Sequence, residues 1–265
     1  MASLRPARWP SFGTELRDFL RFLQRPDFRR LPLRATGDSW HTDWFPSLRV
    51  GRLLQWAGLL WAINVLLLGP IAVAVAGLSG AQHRLQLDNL PWLQAVLWAP
   101  LVEELVFRYG LRRLGAVVWL VPAALVALLA GPGALTLALV GLVVLASWWP
   151  CRSAGSRRAA PSSRRPRSAM WSWRMRRHYR HHCFWVVHAS CLAFAAIHLA
   201  NFSHSATPFW ALPLLVLPQW LTGLVLAWIR VRRGFGAAVV LHAVFNAGPL
   251  LVVWLILSSL SGSPR

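Results

Sequence analysis

The chain has 265 residues, of which 56 % are apolar and only 14 % are charged, against about 25 % charged residues in an ordinary globular chain. Its 28 basic residues outnumber its 8 acidic ones and give a formal net charge of +20. Because the arginines lie between long apolar runs rather than along one compact domain, the composition excludes an ordinary soluble protein and argues against nucleic-acid binding.

Residues 1–52 are polar and basic and contain no long apolar run, so we interpret them as an extramembrane region. The segment 14–24 spaces its leucines and Phe19 as on one face of a helix, which predicts a short amphipathic helix lying on the membrane surface. Three prolines interrupt the rest of this region and predict irregular structure there.

Seven apolar runs follow, and a membrane-spanning helix needs about 20 mainly apolar residues. The third and fourth runs are short and are joined by a Gly-Pro-Gly turn at 131–133, so they are also compatible with a hairpin that dips only partway into the membrane. The sequence therefore predicts an all-α, polytopic transmembrane bundle of about seven helices over residues 53–257, with a short tail at 258–265. The runs are 53–78, 91–110, 114–130, 134–149, 184–202, 209–229 and 235–257.

The connections between these runs alternate in charge. Ten arginines precede the first run, and ten more, with no acid, lie in the loop 151–182, whereas the connections on the opposite side are nearly neutral. Because basic connections stay cytoplasmic, we predict an integral protein of a bacterial plasma membrane with its N-terminus inside and its C-terminus outside. We expect the loop 151–182 to contact anionic lipids rather than nucleic acid.

Two acids lie within the second apolar run. Glu103 and Glu104 are adjacent, and no acid follows them in the chain. A carboxylate in the membrane costs roughly 2.5 kcal/mol or more, so we expect this pair to face protein or water and to take part in chemistry. Arg108 follows Glu104 by four residues, and a purely structural ion pair along one helix face is the alternative interpretation.

Two histidines in later apolar runs are candidates for the same site. His198 follows Phe194 by four residues in the fifth run, and His242 precedes Asn246 by four residues in the seventh. His242 and Asn246 therefore project from one face of an otherwise apolar helix. His188, also near the fifth run, is expected to make only a helix–helix hydrogen bond.

Three short motifs thus occupy three separate apolar runs: residues 103–108 read Glu-Glu-x-x-x-Arg, residues 194–198 read Phe-x-x-x-His, and residues 242–246 read His-x-x-x-Asn. In this order they resemble the signature of the CAAX protease and bacteriocin-processing family, which includes the Rce1-type prenyl-protein proteases. The resemblance covers about residues 90–250. It departs from the family pattern in one respect, because two further apolar runs and the loop 151–182 separate the first two motifs.

The resemblance implies an intramembrane endopeptidase. One of the two glutamates would act as the base that activates a water, with the first motif histidine holding that water. The second motif histidine and the asparagine would stabilise the oxyanion, and the motif arginine would orient the glutamates. The implied catalytic residues are Glu103, Glu104, His198, His242 and Asn246, with Arg108 and Phe194 in supporting roles.

A zinc-dependent variant is the alternative mechanism, because Glu104, His198 and His242 match the ligand types of a catalytic zinc shell. We favour a metal-free site without a cofactor, since Asn246 is better suited to donate to an oxyanion than to bind zinc. The expected substrate is a membrane-associated protein or peptide, with or without a prenyl group. The alternative function is a non-catalytic membrane scaffold, or a protein that handles protons or ions with the same polar cluster.

Overall fold

The computed structural model describes residues 9–31, 40–46, 49–84, 90–155, 177–203 and 207–261. These residues form a helical bundle, and the predicted all-α membrane fold is confirmed. One short antiparallel pair joins β1 (Gln82–His83) to β2 (Phe202–Ser203). The helices are α1 (Phe12–Gln24), α2 (Trp40–Trp44), α3 (Val50–Ser79), α4 (94–107), α5 (Leu114–Ala130), α6 (Ala134–Gly155), α7 (Cys183–Ile197), α8 (Leu212–Leu215), α9 (Leu217–Arg232) and α10 (Phe235–Ser261).

Helices cover all seven predicted apolar runs, but they differ in length. Within the described ranges, three are long and apolar enough to cross a membrane, namely Val50–Ser79, Cys183–Asn201 and Phe235–Ser259. A fourth span arises if α8 and α9, bent by 47° at their junction, count as one. α5 and α6 are shorter apolar helices. Large apolar side chains on these helices point outward, as a lipid-facing surface requires; examples are Leu66, Leu78, Val118 and Leu135.

Two of the helices widen into π-helical turns immediately before a proline. The turn Asn64–Leu68 precedes Pro70 in α3, and the turn Gln94–Trp98 precedes Pro100 in α4. A proline within a helix has no N–H to donate and crowds the carbonyl four residues earlier. The backbone relieves this crowding by shifting to i→i+5 hydrogen bonds, such as the one from the Ala99 N–H to the Gln94 carbonyl.

The N-terminal helix α1 packs against protein. Phe19 and Phe22 are buried, and the Phe19 ring makes edge contacts with Trp56 of α3 at 5.6 Å and with Trp228 of α9 at 5.9 Å. The predicted amphipathic helix is present, its apolar face packs against protein, and its position on the membrane surface stays a prediction. Its apolar face is covered because aromatic side chains of two bundle helices meet it there.

Ion pairs hold the same N-terminal region to the bundle. All four of its described acids pair with arginines at the junction of α9 and α10, with N–O distances of 2.5 to 2.7 Å. The arginines are buried, and a buried charge requires such a partner. Asp18 and Asp27 pair with Arg232, Glu15 pairs with Arg233, and Asp43 pairs with Arg230.

The hairpin of α5 and α6 packs along α4. Its turn contains Gly131 at a φ of 74°, a left-handed conformation that glycine adopts without strain. The hairpin shares a hydrophobic core with Val102 and Leu105 of α4. On its far side, the indole of Trp40 in α2 donates a hydrogen bond of 2.8 Å to Ser147 of α6. The inserted helices therefore support the helix that bears the two glutamates.

Candidate active site

The two glutamates are buried within α4, three and four residues after Pro100. Glu104 is fully buried, and Glu103 is 7 % exposed. Arg108, also fully buried, donates from Nη1 to Glu104 Oε1 at 2.6 Å. The four-residue spacing puts both side chains on one helix face, and the short distance is typical of a charge-assisted hydrogen bond.

His242 approaches the same carboxylates from α10. Its Nδ1 lies 3.1 Å from Glu104 Oε1, and its Nε2 lies 3.7 Å from Glu103 Oε2. An ionised carboxylate only accepts hydrogen bonds, so the Glu104 contact requires the proton on Nδ1. Glu104 Oε1 thus receives two donors, one from its own helix and one from α10.

The ring of Phe194 in α7 packs against the polar residues of the site. The Arg108 guanidinium lies 3.8 Å from the centre of its ring, close enough for a cation–π interaction. The His198 ring centre lies 4.8 Å away, and that of His242 lies 5.8 Å away. This buried ring is therefore in contact with the polar residues of all three motifs.

His198 occupies the end of α7. Its Nδ1 lies 2.8 Å from the Phe194 carbonyl oxygen. Since a carbonyl can only accept, Nδ1 carries the proton, and in the neutral ring Nε2 keeps its lone pair. Partial exposure of this side chain leaves that nitrogen able to accept a hydrogen bond from a water.

Asn246 makes a contact that the motif did not predict. Its Nδ2 donates to the Ala95 carbonyl at 2.9 Å. In the π turn, the Ala99 N–H bonds to Gln94 instead, and Pro100 has no N–H to offer. The Ala95 carbonyl would be left without a backbone partner, so Asn246 fastens α10 to the start of α4.

Several polar atoms in the site are buried without a hydrogen-bond partner among the described residues. They belong to the two glutamates and the arginine, and each such atom costs about 1–3 kcal/mol if it stays unpaired. Such groups are expected where water or substrate binds. The atoms are Oε2 of Glu103, Oε2 of Glu104, and Nε and Nη2 of Arg108.

Each of the three alternative zinc ligands, Glu104, His198 and His242, has one side-chain atom engaged with protein. Across the described part of the chain, no group of three or more His, Cys, Asp or Glu side chains is arranged to hold a metal ion. Glu104 Oε1 is already bonded to Arg108 and His242, and His198 Nδ1 is bonded to its own helix. A tetrahedral zinc shell needs three such side chains converging at about 2 Å from one point.

Sequence reasoning missed the residues that hold the end of α4. Ser190 Oγ donates to the Phe107 carbonyl, and Arg230 donates from Nε to the Arg108 carbonyl at 3.1 Å and from Nη2 to the Tyr109 carbonyl at 3.1 Å. Arg230 lies in the basic connection after the sixth apolar run, and no motif indicates its partners. His188, by contrast, lies 2.9 Å from the Leu23 carbonyl, which is the interhelical bond predicted for it.

Comparison with protein families identifies part of the chain. Residues 166–248 match the model described as Type II CAAX prenyl endopeptidase Rce1-like. This segment of the chain is similar to the Rce1-like model. The matched segment contains Phe194, His198, His242 and Asn246, while the Glu-Glu-x-x-x-Arg motif at 103–108 precedes it. Neither the curated proteins nor the solved structures give a match to the chain.

The match confirms the family resemblance over residues 166–248. Together with the apolar helices, it also identifies an integral membrane protein. The motif outside the matched segment is in direct contact with it, because His242 and Phe194 both meet residues of α4. The matched segment and α4 therefore form one polar site.

Proposed function

We propose that the protein is an intramembrane endopeptidase that hydrolyses a peptide bond of a membrane-associated protein or peptide. The observation that carries this proposal is the buried carboxylate of Glu104, hydrogen-bonded at once to Arg108 and His242, with a second carboxylate beside it. Acids are expensive in a membrane and are retained where they act. Glu104 is held in place by these hydrogen bonds, and the neighbouring Glu103 can accept a proton.

Glu103 is the better candidate for the general base. Oε2 has no hydrogen-bond partner among the described residues in either glutamate, but the Glu104 carboxylate is fixed through Oε1 by Arg108 and His242. A base must be within hydrogen-bond reach of the water that it deprotonates. Glu103 is also the less buried of the two, which favours contact with an incoming water.

The catalytic cycle follows from these roles. Glu103 takes a proton from a water held with the help of His198 Nε2, and the water oxygen forms a bond to the carbonyl carbon of the substrate. The carbonyl π electrons move to its oxygen, and the tetrahedral intermediate then expels the amine, which receives the proton from Glu103. The water is thereby divided between the new carboxyl and amino ends.

Two side chains of α10 are proposed to stabilise the oxyanion. A side-chain amide carries two hydrogens, and the bond to Ala95 uses one of those of Asn246. The second hydrogen is available for the oxyanion. His242 lies one helical turn away and would donate from Nε2 as an imidazolium, whose Nδ1–H stays bonded to Glu104. Fixed donors of this kind are effective because they need no reorganisation during the reaction.

The proposed substrate is tethered to the membrane, as a prenylated CAAX-type tail would be. We further propose that the N-terminus and the loop 151–182 are cytoplasmic, that this loop contacts anionic lipids, and that the C-terminus is external. The arginine content of the loop supports this orientation. The proposed mechanism uses no metal.

A cleavage assay on the purified full-length protein tests the proposal. Wild-type protein, Glu103→Gln and Glu104→Gln are compared in lipid vesicles with a farnesylated peptide and with the same peptide on an acyl tether. Glutamine keeps the shape of glutamate but cannot take the proton, so Glu103→Gln should lose about 10²–10⁴-fold in kcat. Activity that persists when both glutamates are replaced would refute the glutamate mechanism.

Two further arms separate the alternatives. Treatment with a chelator should leave the wild-type rate unchanged, and a loss that zinc reverses would overturn the metal-free mechanism. In sealed vesicles, wild-type protein that moves protons but cleaves neither peptide would assign the carboxylates to ion handling instead.

A further inference from the structure

The C-terminal end of α4 is held by three side chains from the Rce1-like segment. The Phe107 carbonyl is among the last of the helix, which have no partners within the helix itself, and a short 3₁₀ turn, Tyr109–Leu111, follows it. Ser190 bonds to the Phe107 carbonyl, Arg230 bonds to the next two, and the Tyr179 hydroxyl bonds to the Leu111 carbonyl at 2.9 Å. We call this set of donors, Ser190, Arg230 and Tyr179, the collar.

Arg230 makes the largest contribution to the collar. It is fully buried, and all three guanidinium nitrogens are engaged, because Nη1 donates to Asp43 at 2.7 Å while Nε and Nη2 donate to the carbonyls of Arg108 and Tyr109, just after α4. The rings of Tyr109 and Phe235 each lie 5.6 Å from it. Such a planar fork with directed donors cannot be reproduced by lysine.

One of the two bonded carbonyls belongs to Arg108, the residue that supports Glu104. The Arg230 bond fixes the Arg108 backbone from outside the site, while the Arg108 side chain reaches into the site and bonds to Glu104 at 2.6 Å. The orientation of the Glu104 carboxylate, and through it that of His242, thus depends on where the end of α4 is held.

We propose that Arg230, anchored by Asp43, is a positioning residue that sets the geometry of Arg108 and Glu104 for catalysis. This inference rests on the proposed function. A misplacement of about 1 Å in a catalytic group can cost roughly 10²-fold in rate. Loss of Arg230 therefore acts mainly on kcat, because Arg230 reaches the glutamates only through Arg108.

Arg232 provides a matched control two residues further along α9. It is also buried and ion-paired with N-terminal acids, and its bonds go to Asp18, Asp27 and the Arg29 carbonyl. None of these partners belongs to α4. Arg232→Met should destabilise the docking of α1 while leaving the kcat of the folded fraction unchanged.

The experiment compares wild-type protein, Arg230→Met, Arg230→Lys and Arg232→Met in the same vesicles. Measurements are kcat and KM with the tethered peptide, normalised to folded protein, and amide hydrogen exchange over residues 104–112 and 12–31. Both Arg230 variants should lose roughly 10–100-fold in kcat with KM unchanged, and should exchange faster over 104–112. Arg232→Met should exchange faster over 12–31 only.

Equal losses of kcat in Arg230→Met and Arg232→Met would reduce Arg230 to a general stabilising role and overturn the inference. So would a fully active Arg230→Met, or unchanged exchange over 104–112. Wild-type protein without peptidase activity would instead contradict the proposed function, and the exchange comparison would still decide whether Arg230 holds the end of α4.

Discussion

Replacing Gly223 with alanine should slow catalysis without unfolding the protein. Gly223 lies in α9, and a Cβ added there would lie 3.1 Å from Phe194 Cδ1 and 3.2 Å from Arg108 Nη2. Phe194 is buried and stacked on the guanidinium, and Arg108 is bonded to Glu104 at 2.6 Å. Neither neighbour can move by a few tenths of an ångström without disturbing the Arg108–Glu104 pair.

The expected effect follows from that bond. A hydrogen bond to a charged group contributes about 1.5–3 kcal/mol, and its loss in the transition state corresponds to roughly a 10- to 150-fold lower kcat. Alanine in place of glycine within a helix gains about 0.5–1 kcal/mol, which offsets part of the steric strain. The Tm should therefore change little while kcat falls.

The assay measures kcat on the tethered peptide together with thermal unfolding in the same detergent. Gly58→Ala in α3 is the matched control, because no atom lies within 4 Å of the added Cβ, and it should keep wild-type kcat. Wild-type kcat in Gly223→Ala would refute the reasoning that the Arg108–Glu104 geometry governs the rate.

Three other outcomes are expected. Phe19→Ala should lower the free energy of unfolding by about 3–5 kcal/mol, since the ring is buried. Leu20→Ala is the control, because Leu20 is exposed and its replacement should change that free energy by no more than about 0.5 kcal/mol. Equal losses for the two variants in chemical denaturation would contradict the packing of α1. Burial raises the pKa of Asp27, but hydrogen bonds from Arg29 and Arg232 outweigh it and hold the pKa below its usual value. As the pH falls, Asp27 is therefore protonated in the unfolded chain before it is protonated in the folded one. Its contribution to stability is present above about pH 4 and is lost below it. In a plot of Tm against pH, Asp27→Asn should reduce the fall in Tm on the acid side. A reporter fused within 151–182 should be found on the cytoplasmic side of the membrane. A reporter found on the external side would contradict the proposed topology.

The polar core of the site could be predicted because its residues are conspicuous in an apolar chain. Glu103 and Glu104 are costly in a membrane. Glu104 and Arg108 are four residues apart, so they lie on the same helix face. Their contact with His242 followed from the same reasoning. The role of Asn246 toward Ala95 could not be predicted, since it depends on a π turn that only the backbone reveals.

The docking of the N-terminal region could not be predicted from the sequence either. Asp43 and Arg230 are 187 residues apart, and no periodicity links them. The arginines of α9 fit the rule for cytoplasmic connections equally well whether they face water or acids. Likewise, the apolar face of α1 is compatible with lipid or protein, and only the presence of Trp56 and Trp228 beside it decides between them.

The separation between these ionic partners also determines the order in which the molecule can be completed. The acids of the N-terminal region emerge from the ribosome first, but their arginines follow 187 to 218 residues later. Until then these ion pairs are missing, and in a nascent chain that stops before α9 the helix α1 can contact only α3, through Trp56. Closing so long a loop adds only about 0.6 kcal/mol for each doubling of its length, so the delay is one of synthesis rather than of entropy. The end of α4 is therefore secured only after α9 has been made, and the nascent protein cannot form its complete polar site while its C-terminal third is missing.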